Sequence, residues 1–479
     1  MMDAHSLRAE LLRLDRRQAA PLYRQICQRL RHAIEQGLLQ PGERLASART
    51  LAGELGVARG TVELAYGQLA GEGYLLARGQ AGTVVSPQLP RSARPQRPAR
   101  AGAPVPRELP LVPVSAPPPF QLGIPALDAF PRKLWARLAA RRIRATTIAD
   151  MNYGDPVGHA PLREALATYL LVSRGVTCSP AQVFVTAGHR ASLALVSRVL
   201  LAPQERVWIE DPGFPPTSEV LQSAGLRVVP VPVDAQGLRV AVGRRRAADA
   251  RLAVVTPSHQ APLGYSMSMP RRLELLAWAQ AAKAWIVEDD YDGEYRYAGH
   301  PLPALKSLDR QDRVLYAGTF SKVLHPGLAL AYLVVPEPLV ERFARAARMG
   351  SNGCSTLGQA IVSDFLREGH FARHVKKMRL LYARRRTMLA AQLQRAFGEA
   401  VHIELRSGGM HLIAGFEGLG SDTALSLRAQ EAGLNCRALS ERYAGKPALD
   451  GLLMGFANIV SEAEAGRLVE RLRRALLMG

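Results

Sequence analysis

Cysteine is scarce in this chain: four among 479 residues, Cys27, Cys178, Cys354 and Cys436. They lie far apart and form no metal-ligand spacing, which fits free thiols in a reducing compartment. Long apolar runs are missing, so no segment is expected to span a bilayer. The opening residues, Met1 to Glu10, lack the apolar stretch of a signal peptide, and a cytoplasmic protein is expected. Acidic residues are few beside the basic ones, 41 against 62, a formal charge of +21. That balance favours polyanionic partners, nucleic acid first. A chain of 479 residues is too long for one core, so two or three domains are expected.

The first 86 residues carry a compact helical pattern. From Pro21 to Gly37, Leu22, Ile26, Leu30 and Ile34 recur at helical spacing, and Gly37 ends the run. Ser47 is an N-cap candidate for a second helix, Ala48 to Leu55, with Leu51 and Leu55 inward. A third helix is expected from about Arg59 to Gly71, with Val62, Ala65, Tyr66 and Leu69 on one face. Two short helices joined through Gly56-Val57 form a helix-turn-helix. Two β-prone runs then flank a glycine-rich turn, Arg78 to Gly82, as a hairpin wing. The third helix would enter the major groove by its N-terminal end, which carries Arg59, Gly60 and Thr61. Arg44, Ser47, Arg49, Arg78 and Gly79 complete a basic face suited to phosphate and base edges.

Pro41-Gly-Glu-Arg-Leu-Ala-Ser-Ala-Arg-Thr-Leu-Ala-Gly-Glu-Leu-Gly-Val57 and Thr61-Val-Glu-Leu-Ala-Tyr-Gly-Gln-Leu-Ala-Gly-Glu-Gly73 resemble the winged helix of the GntR regulators. The resemblance covers roughly Pro21 to Ser86 and implies binding to double-stranded operator DNA. It departs at Ala46, where the family usually has proline, and at Gly60, which removes a possible base-reading side chain. Residues 87–119 follow, rich in Pro, Ala and Arg and without periodicity, as an extended linker.

From Phe120 onward, buried-strand runs alternate with helical patterns: Gln182 to Thr186, Arg206 to Glu210, Leu252 to Thr256, Trp285 to Glu288 and Arg313 to Ala317. This predicts an α/β domain over 120–479 with a mainly parallel sheet. A large subdomain at about 150–345 and a small one at about 346–479 are expected. Ligands in such sheets collect at the carboxyl ends of the strands. Chemistry-bearing residues follow each run. Gly188, His189 and Arg190 open a helix whose free amides suit a phosphate. Phe214 offers a stacking ring. His259, read alone, is a satisfied loop histidine. Glu288-Asp289-Asp290-Tyr291-Asp292 is compatible with surface charge or a divalent-metal site. Buried at a strand end, one aspartate there can hold a proton on a pyridine nitrogen, while Tyr291 donates to a phenolate oxygen. Lys322 closes Gly318-Thr-Phe-Ser-Lys322, where desolvation lowers an amine's pKa. An amide cup, a stacking aromatic, an aspartate, a tyrosine and a lysine together describe a pocket for pyridoxal 5'-phosphate.

This region resembles the fold-type I aminotransferases, and its pairing with a GntR winged helix is similar to the MocR-like regulators. Tyr153-Gly-Asp-Pro-Val-Gly158, Thr256-Pro-Ser-His-Gln260 and Gly318-Thr-Phe-Ser-Lys322 carry the resemblance. It implies Lys322 as the Schiff-base lysine, Asp289 at the pyridine nitrogen, Tyr291 at the ring oxygen and Phe214 on the ring. Thr319 and Ser321 would hold the phosphate, and Tyr153 would reach the pocket across a homodimer interface. Two positions depart. Ala329 stands where the family has a phosphate-gripping arginine, and Arg190 is the expected substitute. Leu453 stands where aminotransferases place the arginine for the substrate carboxylate, leaving Arg437 or Arg442 as stand-ins. The reading is a cytoplasmic transcriptional regulator whose aminotransferase-like domain dimerises and senses pyridoxal phosphate, an amine or amino-acid effector, or both. The alternatives are an active aminotransferase with an accessory DNA-binding module, or a regulator without cofactor. No metal is expected.

Overall fold

The computed structural model of the chain describes residues 14–16, 20–79, 82–88, 117–297, 303–350 and 353–477. It comprises two compact units, residues 1–113 and 114–479. Residues 89–116 of the expected linker lie outside the described residues.

The first unit holds α1 (Leu22–Glu35), α2 (Ala48–Leu55), α3 (Arg59–Gly71), β1 (Leu75–Ala77) and β2 (Thr83–Val85). The helical spacing in α1 buries Ile26, Leu30 and Ile34 against Leu51, Val62, Leu69 and Val85, while Leu22 is only half-buried. Ser47 caps α2 by accepting from the Thr50 amide at 3.1 Å, and Gly56 ends it in a left-handed conformation, φ 59°. The strands pair antiparallel, Leu75 opposite Val85, as the wing. The Ala46 carbonyl, at the position where proline is usual, accepts from the Tyr66 hydroxyl at 2.9 Å, tying the segment before α2 to α3.

In the second unit α4 (Arg132–Arg144) and α5 (Ala160–Arg174) come first. Then follow β3 (Val183–Thr186), α6 (His189–Leu200), β4 (Arg206–Asp211), α7 (Pro215–Ser223), β5 (Arg227–Asp234), β6 (Gly237–Leu238), α8 (Val240–Arg246), β7 (Leu252–Val255), α9 (Met269–Ala281), β8 (Trp285–Asp290), α10 (Leu305–Leu308), β9 (Val314–Thr319) and β10 (Ala331–Val334). Three helices, α11 (Val340–Gly350), α12 (Thr356–Arg367) and α13 (His370–Phe397), lead to β11 (Val401–Ile403), β12 (His411–Phe416), α14 (Asp422–Glu431), β13 (Arg437–Ala438), β14 (Leu452–Gly455) and α15 (Glu462–Leu477).

The large sheet has eight strands in the order β3-β10-β9-β8-β7-β4-β5-β6. Its centre is parallel, β9-β8-β7-β4-β5, as the apolar runs predict. β10 departs from that pattern: it runs antiparallel to both β9 and β3. Alternate residues feed opposite faces. Val207, Val254, Val287 and Leu315 pack with Leu193 and Val196 of α6. Trp208, Ala253, Ile286 and Val314 pack with Leu275 and Trp278 of α9, the two tryptophans stacked at 3.8 Å. The parallel register brings the ends of β4, β7, β8 and β9 to one edge of the sheet. The small sheet, β11-β12-β14-β13, is antiparallel throughout.

Candidate functional site

A cavity of about 410 Å³ opens at that edge. It is lined by residues from the strand ends, from the segment at Leu122–Gly123, from the small sheet through His411 and Leu453, and from the turn after β13 through Arg442. Of the cofactor-binding residues expected from sequence, Gly188, His189, Arg190, Phe214, Asp289, Tyr291, Thr319, Ser321 and Lys322 all line it. Tyr153 does not: it lies 83% exposed on the surface.

Lys322 follows the end of β9. Its Nζ donates to the Gly123 carbonyl at 2.9 Å, and burial lowers the amine's pKa against the pull of Asp289 and Asp292. Gly123 has φ +70°, and a Cβ there would stand 2.6 Å from Nζ, so this approach requires glycine. Asp289 near the end of β8 faces His189 Nδ1 at 3.3 Å, and His189 Nε2 meets Thr217 Oγ1 at 3.0 Å. Burial alone would depress His189, but the Asp289 carboxylate outweighs it and raises the ring's pKa. Gly188 N-caps α6 without any side-chain cap, which leaves the first amides of that helix available. Thr319 Oγ1 accepts from the Ser321 amide at 3.2 Å. Phe214 N-caps α7, is 45% exposed, and meets the His189 ring edge-on at 5.8 Å.

The acidic run resolves into separate tasks, all of them buried. Glu288 accepts from the amides of Leu305 and Lys306, each at 2.8 Å. Asp290 sits 2.5 Å from Arg174 Nη2 and accepts from the Tyr316 hydroxyl at 2.6 Å. Asp292 lies 2.9 Å from His259 Nδ1. Among the described residues no three metal-ligating side chains group together. His259 is a satisfied loop histidine, as expected, and is buried, with Nδ1 3.0 Å from the Tyr291 hydroxyl. Glu210, which drew no notice in the sequence, is buried behind the cavity. Burial pushes its pKa to about 7, against the hydrogen bonds it accepts from Thr256 and Gln260.

At the departures, Ala329 takes a left-handed conformation after a short turn and does not line the cavity. The Arg190 guanidinium is held by Glu219 at 2.8 Å, with both side chains more than half exposed. Leu453 lines the cavity beside Arg442, whereas Arg437 is exposed and outside it.

In the first unit Arg44, Ser47, Arg49, Arg59, Arg78 and Gly79 are exposed and Thr61 half-buried. Ser47 spends its hydroxyl on the cap, and Arg59 pairs with Glu63 at 2.8 Å. Ala58 caps α3 without a side-chain bond, so the helix presents open amides at its start. A Cβ at Gly60 would meet nothing within 4 Å.

Residues 126–454 match the family described as aminotransferase class I and II, and residues 22–85 match bacterial regulatory proteins of the gntR family. The chain is 39% identical over 462 residues to the probable rhizopine catabolism regulatory protein MocR of Rhizobium meliloti, covering 94% of this chain and 92% of that one. It is 34% identical to the pyridoxine biosynthesis regulator PdxR of Corynebacterium glutamicum, covering 91% of each. Among solved structures it resembles the α-aminoadipate aminotransferase LysN of Thermus thermophilus, complexed with N-(5'-phosphopyridoxyl)-L-leucine. That match has TM-score 0.67 and 28% identity over 74% of this chain and 91% of that one. A kynurenine aminotransferase of Pyrococcus horikoshii gives TM-score 0.67 at 24% identity, covering 74% and 90%. A gntR-type reading unit thus precedes an aminotransferase fold in a single chain, and the protein belongs to the MocR-like regulators of the GntR family, DNA-binding transcriptional regulators built on an aminotransferase class I and II domain.

Proposed function

We propose that the aminotransferase-fold unit holds pyridoxal 5'-phosphate at Lys322, senses a primary amine or amino acid there, and thereby biases how a homodimer grips its operator in the cytoplasm. One observation carries this reading. A half-buried lysine amine, its pKa lowered by desolvation, shares a single cavity with Asp289, Tyr291, Phe214 and an uncapped helix start. The donor set fits the cofactor's ring, aldehyde and phosphate in turn.

Bound there, pyridoxal phosphate supplies an aldehyde that captures primary amines reversibly and a ring that withdraws electrons. The protein's own part is positioning. The Gly123 carbonyl holds the Lys322 amine in place. Asp289, steadied by His189, presents a carboxylate to a ring nitrogen. Asp292 beside His259 Nδ1 favours a proton on that nitrogen. Tyr291 lines the cavity with its hydroxyl 3.0 Å from that nitrogen and hydrogen-bonded to Asp292, and would meet the ring oxygen. The amides of α6 with Thr319 and Ser321 receive the phosphate. Arg190 adds charge by leaving Glu219, a weak tie because both side chains are exposed. Tyr153 serves the cavity of a second copy. Leu453 in place of a carboxylate-gripping arginine favours sensing over turnover.

On the DNA side, Arg44, Arg49, Arg59 and Arg78 with Thr61 contact the duplex, and the start of α3 enters the major groove. Ligand control requires that amine and cofactor favour one arrangement of the reading heads over another. Selection from random duplexes tests the whole. Enrichment of paired half-sites, with affinity that changes on adding pyridoxal phosphate and an amine, is expected. No enrichment, or indifference to both additions, would sink the reading.

A further inference from the structure

Among the described residues, the cavity contains one cation whose side chain has no hydrogen-bond or ion-pair partner. His189 is engaged by Asp289, Arg190 by Glu219, and Lys322 by the Gly123 carbonyl. His411 Nε2 lies 2.8 Å from the Pro262 carbonyl, and burial, together with His259, depresses its pKa, so it stays neutral. Arg442 lines the same cavity, is half-buried, and has no hydrogen bond or ion pair from its guanidinium among the described residues. Removing an arginine from water without a partner is unfavourable unless a ligand supplies the counter-charge.

Its placement is fixed by the backbone. Asp422, buried under the turn, accepts from the Ser440 amide and the Gly451 amide, at 2.8 and 3.1 Å. The Arg442 amide donates to the Leu439 carbonyl at 2.9 Å, and the Arg442 carbonyl accepts from the Gly213 amide at 3.2 Å. The Ala444 amide donates to Asp211 Oδ1 at 2.8 Å. These bonds pin Arg442 to the loop that carries Phe214, on the wall contributed by the small sheet. The amide cup of α6 belongs to the large sheet instead. Arg442 is near enough to His411 to act on its titration, as Arg190 is to His189, which places the two arginines beside different groups. The surface next to Arg442 is apolar: Leu453 packs with Leu263 and Leu439, and Pro215, Pro216 and Pro262 line the cavity.

We propose that Arg442 is the specificity-determining residue for the effector, which is an amine carrying a carboxylate on a short apolar body. The amine goes to the Lys322 end and the carboxylate to the Arg442 fork. The inference rests on the reading of the cavity as a pyridoxal phosphate site. It adds that the carboxylate is met from the turn before β14, not from the strand position that Leu453 occupies.

The test uses the full-length protein loaded with pyridoxal phosphate. The visible band is titrated with 5-aminopentanoate, with L-norvaline, and with butylamine, which is the carboxylate-free counterpart of both. The expected half-saturating concentration of at least one of the two acids is about ten- to a hundredfold below that of butylamine, the range of one charge-assisted contact. Arg442→Gln should abolish the preference and leave butylamine and cofactor affinity unchanged. Arg442→Lys, which keeps the charge and loses the fork, should retain part of it. Equal response to all three amines in the wild-type protein overturns the proposal. So does a preference that survives Arg442→Gln. A tenfold or larger loss of cofactor affinity in Arg442→Gln overturns it too, by assigning the arginine to the phosphate. A wild-type protein that never develops a visible band overturns the cofactor reading beneath it as well, and is told apart from the other failures by that absence.

Discussion

Replacing Gly123 with alanine tests whether the lysine is positioned by backbone contact. Alanine at φ +70° carries roughly 1 kcal/mol of backbone strain. Its Cβ would sit 2.6 Å from Lys322 Nζ, well inside ordinary contact, so the amine must retreat by nearly an ångström and give up its 2.9 Å bond to the Gly123 carbonyl. A hydrogen bond of this kind is worth about 0.5–1.5 kcal/mol net. The sum is about 2 kcal/mol in stability, with a misplaced amine on top. Gly175 supplies the control. It has φ +67°, and its nearest neighbour to an added Cβ is Ser307 at 3.6 Å, so alanine there brings the strain without touching Lys322. Both variants should unfold at lower denaturant, but only Gly123→Ala should lose the visible absorbance of bound pyridoxal phosphate, by about tenfold in apparent affinity. Equal cofactor binding by the two variants would refute the positioning argument.

Other consequences follow from buried charge and from the exposed arginines. Burial holds Glu210 at about 7, above its ordinary value of 4.5, so the folded protein binds this proton more tightly than the unfolded chain does. The associated stability is whole below about 4.5 and is lost as the pH rises through about 7, up to roughly 3 kcal/mol. Glu210→Gln should therefore flatten the fall in unfolding midpoint between mildly acid and mildly alkaline buffer; an unchanged slope would contradict it. Arg174→Ala leaves Asp290 buried without its cation and should cost about 3–5 kcal/mol in denaturant titrations, and a loss under about 1 kcal/mol would show that Tyr316 suffices. Arg44→Ala, Arg49→Ala and Arg78→Ala should each weaken DNA binding and reduce the slope of log affinity against log salt by about one; an unchanged slope removes that residue from the interface. Gly60→Ala meets no obstacle and should stabilise α3 slightly, by up to about 1 kcal/mol, in thermal melts, whereas destabilisation would mean that glycine is needed there for the fold.

Local signals made much of this architecture readable. Ser47 before α2, Gly56 after it, and the face made by Val62, Ala65, Tyr66 and Leu69 are short-range features, and the structure follows them. The central strands were legible because a parallel strand buried on both faces must be apolar throughout. Direction is not written in such a run, so β10, Ala331–Val334, gave no sign that it runs antiparallel. The expected cavity residues of the large sheet were legible because they sit at or soon after strand ends. Long-range partners were not. Nothing in α5 marks Arg174 as the counter-ion of Asp290, 116 positions away in sequence (290 − 174). Glu210 reads as an ordinary strand end until the fold closes over it. Arg437 lies in the two-residue strand β13 and Arg442 in the short turn after it, and periodicity over so short a span cannot decide which of them reaches the cavity.

The central claim is that Lys322 holds pyridoxal phosphate although Ala329 offers no cation. Borohydride reduction of the protein mixed with pyridoxal phosphate, followed by peptide mapping, tests it most directly. The account predicts a yellow protein that bleaches on reduction, with the phosphopyridoxyl label on the peptide containing Lys322, and no label there in Lys322→Ala. A colourless protein, or a label spread over surface lysines and unchanged by Lys322→Ala, would contradict it.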